Sequence, residues 1–160
     1  MKMLLDGYCR LLRVVLTVLM ALLIVPVTMQ VASRFSELIP RYIWTEELAR
    51  FCFVWIIMIG AIIAVRDGTH FDLDVLPHSK DPKREALARI FVRLVTGIVA
   101  VVFLVYGWQF VRFGWNQTSE IAELPMVWIF AAWPLAGLSW LLFLGEGIAA
   151  DLRLVRGHAA

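Results

Sequence analysis

The stretch VVLTVLMALLIVPVTMQVAS, residues 14–33, decides the fold because it is twenty residues long and carries no charged side chain. An α-helix rises about 1.5 Å per residue, so about 20 residues cross a hydrocarbon core of about 30 Å. A helix that is apolar on every side has to be surrounded by protein or by lipid. The stretch therefore predicts a membrane-spanning helix.

Three further charge-free runs follow, at residues 51–65, 94–111 and 124–145. The second is short, and the charged residues Glu46, Glu47 and Arg50 extend it at its start, where they can pair with one another or lie among lipid headgroups. Hydrophobic residues make up 61% of the chain and charged residues 18%. We predict an all-α integral membrane protein, a single membrane domain over residues 1–160, with four spans at about 12–34, 46–66, 90–112 and 124–147.

Basic residues predict the orientation of these spans. Eleven of the fifteen Lys and Arg residues lie in the N-terminal segment, in the loop 67–89 with its flanks, or in the C-terminal segment. The other four are Arg34, Arg41, Arg50 and Arg112. Because Lys and Arg concentrate on the cytoplasmic side, both termini and the loop 67–89 are expected in the cytoplasm. Aromatic residues near the opposite ends of the spans agree with an interfacial belt there: Tyr42, Trp44, Trp115 and Trp128.

Local signals predict where helices start and where they are interrupted. Thr45 before Glu46 and Glu47 has the pattern of a helix N-cap with acidic residues in the first turn. Asp81 and Pro82 predict the start of a helix that either lies along the cytoplasmic surface or leads directly into the third span. Pro26 and Pro134 lie inside the first and fourth spans and predict interruptions there.

The composition argues against several classes of function. Enzymes and proton-coupled carriers in membranes normally place ionisable groups within their spans, and the four runs contain none. The three histidines, His70, His78 and His158, lie outside the runs, which argues against haem ligation. We therefore expect no enzyme and no cofactor. A basic excess beside apolar spans is typical of membrane topology, so we expect no nucleic-acid partner.

The polar segment Arg66–Asp74 directly follows the second span. His70, Asp72 and Asp74 alternate along it and would lie on one side of an extended chain, but they do not form a closed set of metal ligands. We predict a hydrogen-bonded cytoplasmic turn without a metal, in which Gly68 supplies an unusual backbone angle and which can contact a partner.

One face of the second span combines charges with small residues. Glu46 and Arg50 are four residues apart, and helical spacing continues their face along the span. Gly60 and Ala64 on that face form a small-xxx-small patch that lets another helix approach closely. Packing within this chain and contact with a separate subunit both explain the patch. The face consists of Glu46, Arg50, Phe53, Ile57, Gly60 and Ala64.

Several of these motifs together resemble a known family. They are WTEELAR at residues 44–50, then Trp55, Gly60 and Ala61, RDGTHFDLD at residues 66–74, LPMVW at residues 124–128, and PLAG at residues 134–137. Their order, spacing and four-span layout resemble the small membrane subunit of tripartite ATP-independent periplasmic (TRAP) transporters, the DctQ-type family. The resemblance covers almost the whole chain.

The resemblance implies a role in a three-part importer of the bacterial inner membrane. In such a system a soluble periplasmic binding protein captures an organic acid, and a large membrane subunit carries it inward with sodium. The small subunit is implied to be a scaffold that braces the large one and binds neither substrate nor sodium. Structural or interface candidates are Glu46, Glu47, Arg50, Gly60, Ala64, Gly68, His70, Asp72 and Pro134. The implied partners are the large subunit, the binding protein and membrane lipids.

A different class of protein remains as the alternative. A stand-alone small transporter or channel, formed by several copies of this chain around a pore, would also need four apolar spans. It predicts transport by the purified chain alone, whereas a scaffold subunit predicts none.

Overall fold

Four long helices and one short helix make up most of the described part of the chain. The computed structural model describes residues 2–35, 42, 44–68, 82–119 and 123–157, and for residues 2, 4, 82–88 and 153–157 it describes the backbone alone. The helices are α1 (Lys2–Phe35), α2 (Trp44–Asp67), α3 (Pro82–Gly114), α4 (Val127–Phe130) and α5 (Ala132–Gly157). Four segments are long and apolar enough to cross a membrane: Leu5–Phe35, Trp44–Asp67, Arg89–Gly114 and Val127–Leu152. The predicted all-α fold with four spans is confirmed.

Helix α3 begins at Pro82, as the sequence predicts, and runs without a break into the third span. Proline suits the first position of a helix because its missing N–H would have no helical partner there. The residues from Pro82 to 89, which the predicted loop 67–89 includes, are therefore helical.

The start of α2 differs from the prediction. The helix begins at Trp44, and the Thr45 hydroxyl donates a hydrogen bond to the carbonyl of Tyr42 at 2.6 Å. A residue that caps a helix start would instead accept a hydrogen bond from a free backbone N–H. Thr45 is thus not the N-cap, although Glu46 and Glu47 do lie in the first turn, where acidic side chains are favourable.

Pro134 interrupts the fourth span as predicted, while Pro26 does not break the first. Proline has no N–H to donate to the carbonyl four residues earlier, which here belongs to Phe130, and α4 ends at that residue. Helix α5 then starts at Ala132. Pro26 is buried inside the continuous helix α1.

Helices α3 and α5 pack closely because small residues line their contact. A Cβ atom added to Gly137 would lie 2.7 Å from the Ala100 carbonyl oxygen and 2.7 Å from the Leu104 nitrogen. A Cβ on Gly107 would lie 2.8 Å from the Pro134 nitrogen. Such contacts let two helix backbones approach, which is how helices associate in lipid. Helix α1 packs mainly on α2, and α2 also contacts α5.

A cluster of apolar side chains links α1, α2, α3 and α5. Trp140 is central to it, with its ring centroid 4.9 Å from that of Phe103. The Tyr8 hydroxyl is 2.8 Å from the Ser139 hydroxyl, which ties α1 to α5 by a buried hydrogen bond. The buried members are Leu12, Met58, Ile59, Ile62, Ala100, Ala132, Ala136, Trp140, Phe143 and Leu144.

Ion pairs gather at one end of the bundle, where α1 begins, α2 ends, α3 begins and α5 ends. We call it the ionic end. Arg13 pairs with Asp67 at 2.8 Å, and Arg66 pairs with Asp6. Asp151 is 4% exposed and pairs with both Arg89 and Arg93. Two arginines on one buried carboxylate hold the end of α5 against the start of α3, since a lone buried charge would be costly.

The opposite end carries exposed aromatic side chains, and we call it the aromatic end. It comprises Tyr42, Trp44, Trp115 and Trp128, which are 46%, 46%, 73% and 59% exposed. Exposed Trp and Tyr at the ends of apolar helices are typical of the boundary between lipid and water.

The close approach of α3 and α5 predicts opposite effects for two identical substitutions. Gly137→Ala should lower the free energy of unfolding by about 1–3 kcal/mol, because its Cβ meets backbone atoms that cannot move aside. Gly97→Ala should leave it unchanged or raise it by up to about 1 kcal/mol, because nothing lies within 4 Å and Ala favours helix. Denaturation in mixed micelles measures both, and equal effects of the two changes would contradict this packing.

Candidate functional site

The predicted site residues lie mainly along α2. Glu46, Glu47 and Arg50 occupy its first two turns at the aromatic end, and Gly60 and Ala64 follow further along it. Gly68 follows the helix with φ of 74°, the unusual backbone angle expected from the sequence. His70 and Asp72 lie outside the described residues. The interpretation of His70, Asp72 and Asp74 as part of a turn without a metal therefore stays a prediction. The described residues contain no group of three metal-ligating side chains.

The segment after α3 folds back on itself at the aromatic end. The Ser119 N–H donates to the Leu124 carbonyl at 2.8 Å, and the Met126 N–H donates to the Gln117 carbonyl at 2.9 Å. Between them Thr118 and Pro125 form an antiparallel bridge. Glu123 has φ of 51°, which a non-glycine residue adopts only when its surroundings enforce it. Residues 117–119 are thereby held in a defined place beside α2.

Two side-chain hydrogen bonds fasten this segment to α2. The Ser119 hydroxyl donates to the Glu47 carboxylate, and the Trp55 indole N–H donates to the Trp128 carbonyl at 3.0 Å. A hydrogen bond to a carboxylate is stronger than one between neutral groups. Glu47 thus has a structural role that its sequence motif alone does not specify.

A cleft of about 590 Å³ lies between α2 and the folded segment. Its walls carry both charge signs and several hydroxyl and amide groups, and two apolar side chains complete its lining. The lining residues are Glu46, Glu47, Arg50, Gln117, Thr118, Ser119, Met126 and Ile129. Its volume is within the range of sites that hold small ligands, about 300–1,000 Å³.

The α2 face predicted from helical spacing points away from the rest of the protein. Phe53 is 56% exposed and Ile57 is 48% exposed. A Cβ added to Gly60 would meet no atom within 4 Å, so among the described residues Gly60 is not a point of close helix contact. Ala64 is partly buried. Close packing within the described part of the chain therefore does not explain the glycine at position 60, and contact with a separate subunit stays a prediction. We call Phe53, Ile57 and Gly60 the α2 stripe.

The sequence of the chain matches the profile of a known family from residue 23 to residue 154, described as tripartite ATP-independent periplasmic transporters, DctQ component. The chain belongs to the DctQ family. It is a multi-pass membrane protein of a transporter family, and its match covers the second, third and fourth spans and the last part of the first.

Curated relatives of this DctQ-family chain include small permease proteins from several bacteria. It is 36% identical over 99 residues to the C4-dicarboxylate TRAP transporter small permease protein DctQ of Rhodobacter capsulatus, which covers 58% of this chain and 42% of that protein. It is 27% identical over 116 residues to the sialic acid TRAP transporter small permease protein SiaQ of Vibrio cholerae, covering 72% and 63%.

A third relative is much longer than this chain. The match to the sialic acid TRAP transporter permease protein SiaT of Haemophilus influenzae is 29% identical over 96 residues, or 60% of this chain and 16% of that protein. The matched region spans less than two thirds of the length of each of these three relatives.

Sequence reasoning did not find two parts of this arrangement. The residues 117–119 carry no periodic pattern, and their place beside Glu47 depends on backbone hydrogen bonds across the bridge. Asp151 follows a long apolar run. Because a carboxylate so close to a span needs a partner, its position in the sequence could have predicted an ion pair there.

The Ser119 hydrogen bond predicts how firmly the folded segment is held. Ser119→Ala should speed amide exchange of the Ser119 and Met126 N–H groups by about fivefold, because losing a bond worth about 1 kcal/mol frees the segment from α2. Hydrogen exchange with mass spectrometry in micelles measures this. Ser33→Ala, which removes only a bond to the Gln30 carbonyl within α1, is the control. Unchanged exchange in residues 117–126 would contradict a fastening role for Ser119.

Proposed function

We propose that this chain is the small permease subunit of a sodium-coupled TRAP importer of organic acids in the bacterial inner membrane. In this proposal a periplasmic binding protein delivers the substrate, a large membrane subunit transports it, and this chain is the scaffold for the large subunit. The family match over residues 23–154 supports the subunit assignment. The names of two relatives specify C4-dicarboxylate and sialic acid, and both of these compounds carry carboxylate groups.

The observation that carries the scaffold role is the outward-facing α2 stripe. Its glycine has open space beside it, and small residues let a neighbouring helix approach closely enough for van der Waals packing. Phe53 and Ile57 would supply apolar contact area on either side of that approach. We assign the large subunit to the α2 stripe, that is to Phe53, Ile57 and Gly60.

A scaffold also has to hold its own shape while the transport subunit moves. The buried pairing of Asp151 with two arginines and the close contact at Gly137 support a rigid α3–α5 pair. The charge-free runs within the spans suit this role, because a substrate or sodium path through a membrane protein normally uses polar or ionisable groups. We infer that substrate and sodium pass through the large subunit.

We infer that the ionic end faces the cytoplasm and the aromatic end faces the periplasm, because eleven of the fifteen Lys and Arg residues belong to the segments at the ionic end. Green fluorescent protein fused after Ala160 should fluoresce, and alkaline phosphatase fused there should be inactive, since each reporter works on one side of the membrane only. The reverse pattern would overturn this orientation.

Co-purification tests the subunit assignment. The tagged chain, extracted from native membranes in mild detergent, should recover a larger polytopic protein in stoichiometric amount. Gly60→Leu should reduce that recovery at least about tenfold, because the side chain fills the space needed for a close helix approach, which is worth more than about 1.4 kcal/mol. Mass spectrometry of the purified complex measures the ratio.

Gly145→Leu is the matched control, because Gly145 also has no atom within 4 Å of an added Cβ but lies on α5, away from the stripe. Equal losses for both variants would remove the α2 stripe from the interface. Recovery of this chain alone as a stable homo-oligomer would overturn the proposal in favour of a stand-alone transporter or channel.

A further inference from the structure

The cleft at the aromatic end contains two opposite charges that the described part of the chain does not neutralise. Glu46 and Arg50 are both exposed, and among the described residues neither takes part in an ion pair or a hydrogen bond. They are four residues apart on α2, so their Cβ atoms lie about 5–6 Å apart on one face. Glu47 beside them is engaged by the Ser119 hydroxyl. The cleft thus offers one carboxylate and one guanidinium side by side.

The aromatic residues next to the cleft indicate that it lies near the boundary between lipid and water. Trp44 is the first residue of α2, directly before the cleft residues, and Trp128 is adjacent to its apolar lining. Both side chains are about half exposed, as residues of an interfacial belt are. A ligand that is located at this boundary and carries both a positive and a negative charge could contact both Glu46 and Arg50. The head group of a zwitterionic phospholipid has this chemistry.

The Glu46 carboxylate determines which type of ammonium group the cleft can bind. A primary ammonium group has three N–H donors, and the Glu46 carboxylate is an acceptor for them. A quaternary ammonium has no N–H and is normally held by the faces of several aromatic rings. Among the described residues, the cleft lining contains two glutamates and no aromatic residue. The cleft therefore favours ethanolamine over choline.

The negative charge and the remainder of the lipid fit the other groups. Arginine binds phosphate through several parallel N–H donors, and Arg50 presents its guanidinium at the same wall. In phosphoethanolamine a two-carbon link separates the ammonium from the phosphate, which suits charges one helical turn apart. Met126 and Ile129 supply an apolar surface for the glycerol and the first acyl carbons.

We propose that the cleft formed by Glu46, Arg50, Met126 and Ile129 binds the head group of a phospholipid with a primary amine, of the phosphatidylethanolamine type. Glu46 accepts hydrogen bonds from the ammonium, and Arg50 donates to the phosphate. The binding belongs to this chain alone and does not depend on the transport complex.

Native mass spectrometry of the purified, delipidated full chain tests this proposal. Titration with phosphatidylethanolamine should give about tenfold tighter binding than titration with phosphatidylcholine or phosphatidylglycerol, since each of those lacks the donor ammonium. Arg50→Gln and Glu46→Gln should each weaken phosphatidylethanolamine binding about tenfold. Only Glu46→Gln should reduce the preference over phosphatidylcholine, because Glu46 contacts the ammonium whereas Arg50 contacts the phosphate that both lipids carry. Arg112→Gln, which changes an exposed arginine at the same end of the bundle, should alter binding less than twofold.

Several results would overturn the proposal. If the unmodified chain bound phosphatidylethanolamine and phosphatidylcholine equally, the proposed recognition of a primary ammonium by Glu46 would be wrong. Equal losses for Arg112→Gln and Arg50→Gln would remove the assigned site. Soluble phosphoethanolamine that competes as well as the lipid would assign the cleft to a soluble ligand.

If a protein partner rather than a lipid contacts Arg50, the two measurements will give a different pattern of results. If Arg50→Gln keeps phosphatidylethanolamine binding but loses the co-purifying membrane protein, Arg50 belongs to a protein interface and the lipid site is wrong. Conversely, a chain that recovers no large subunit but still selects phosphatidylethanolamine would contradict the proposed function and support the lipid site.

Discussion

Close contact between helix backbones is the constraint on which this structure depends. Lipid tails are as apolar as the side chains they surround, so burying a leucine between two helices gains little in a bilayer. The main favourable interaction that remains between helices is van der Waals contact, and the number of such contacts increases steeply when the backbones approach each other. At Gly137 the missing side chain brings α5 against the Ala100 carbonyl and the Leu104 nitrogen of α3. The interrupted start of α5 fits the same contact, because Gly107 leaves room for Pro134.

Around this close pair the two ends of the bundle use different chemistry. The ionic end joins helices with charges, and its most buried carboxylate, Asp151, is shared by two arginines. The aromatic end joins them with neutral and charge-assisted hydrogen bonds through Ser119 and Trp55. In the first arrangement Asp151 is paired within the chain. The second leaves Glu46 and Arg50 exposed.

The sequence was sufficient to predict the class of fold because the spacing of charges is a direct consequence of the bilayer. It also predicted the helix start at Pro82, the break caused by Pro134 and the positive φ of Gly68, since each follows from the covalent structure of one residue. It was wrong about Thr45, because the choice between capping a helix and bonding to the Tyr42 carbonyl depends on the path of the preceding chain.

The candidate site was predictable only in part. Helical spacing placed Glu46 and Arg50 on one face with Gly60, but no local rule distinguishes Gly60 from Gly137, and only the arrangement in space separates an open position from a close contact. The opposite wall of the cleft comes from residues 117–119, which are about seventy positions away in the chain from Glu47. Its position results from hydrogen bonds between backbone groups, which all residues share and which therefore leave no sequence pattern.

The shared carboxylate at the ionic end has a consequence for how the chain enters the membrane. Arg89 and Arg93 precede Asp151 in the chain, so both are synthesised before it. When α5 leaves the ribosome, the partners of its acidic residue are already in place on α3, and the carboxylate can be neutralised as soon as the two helices meet. An α5 that failed to meet α3 would keep an uncompensated charge near its end, an unfavourable state in lipid. The same contact therefore stabilises the finished bundle and favours correct pairing during biogenesis.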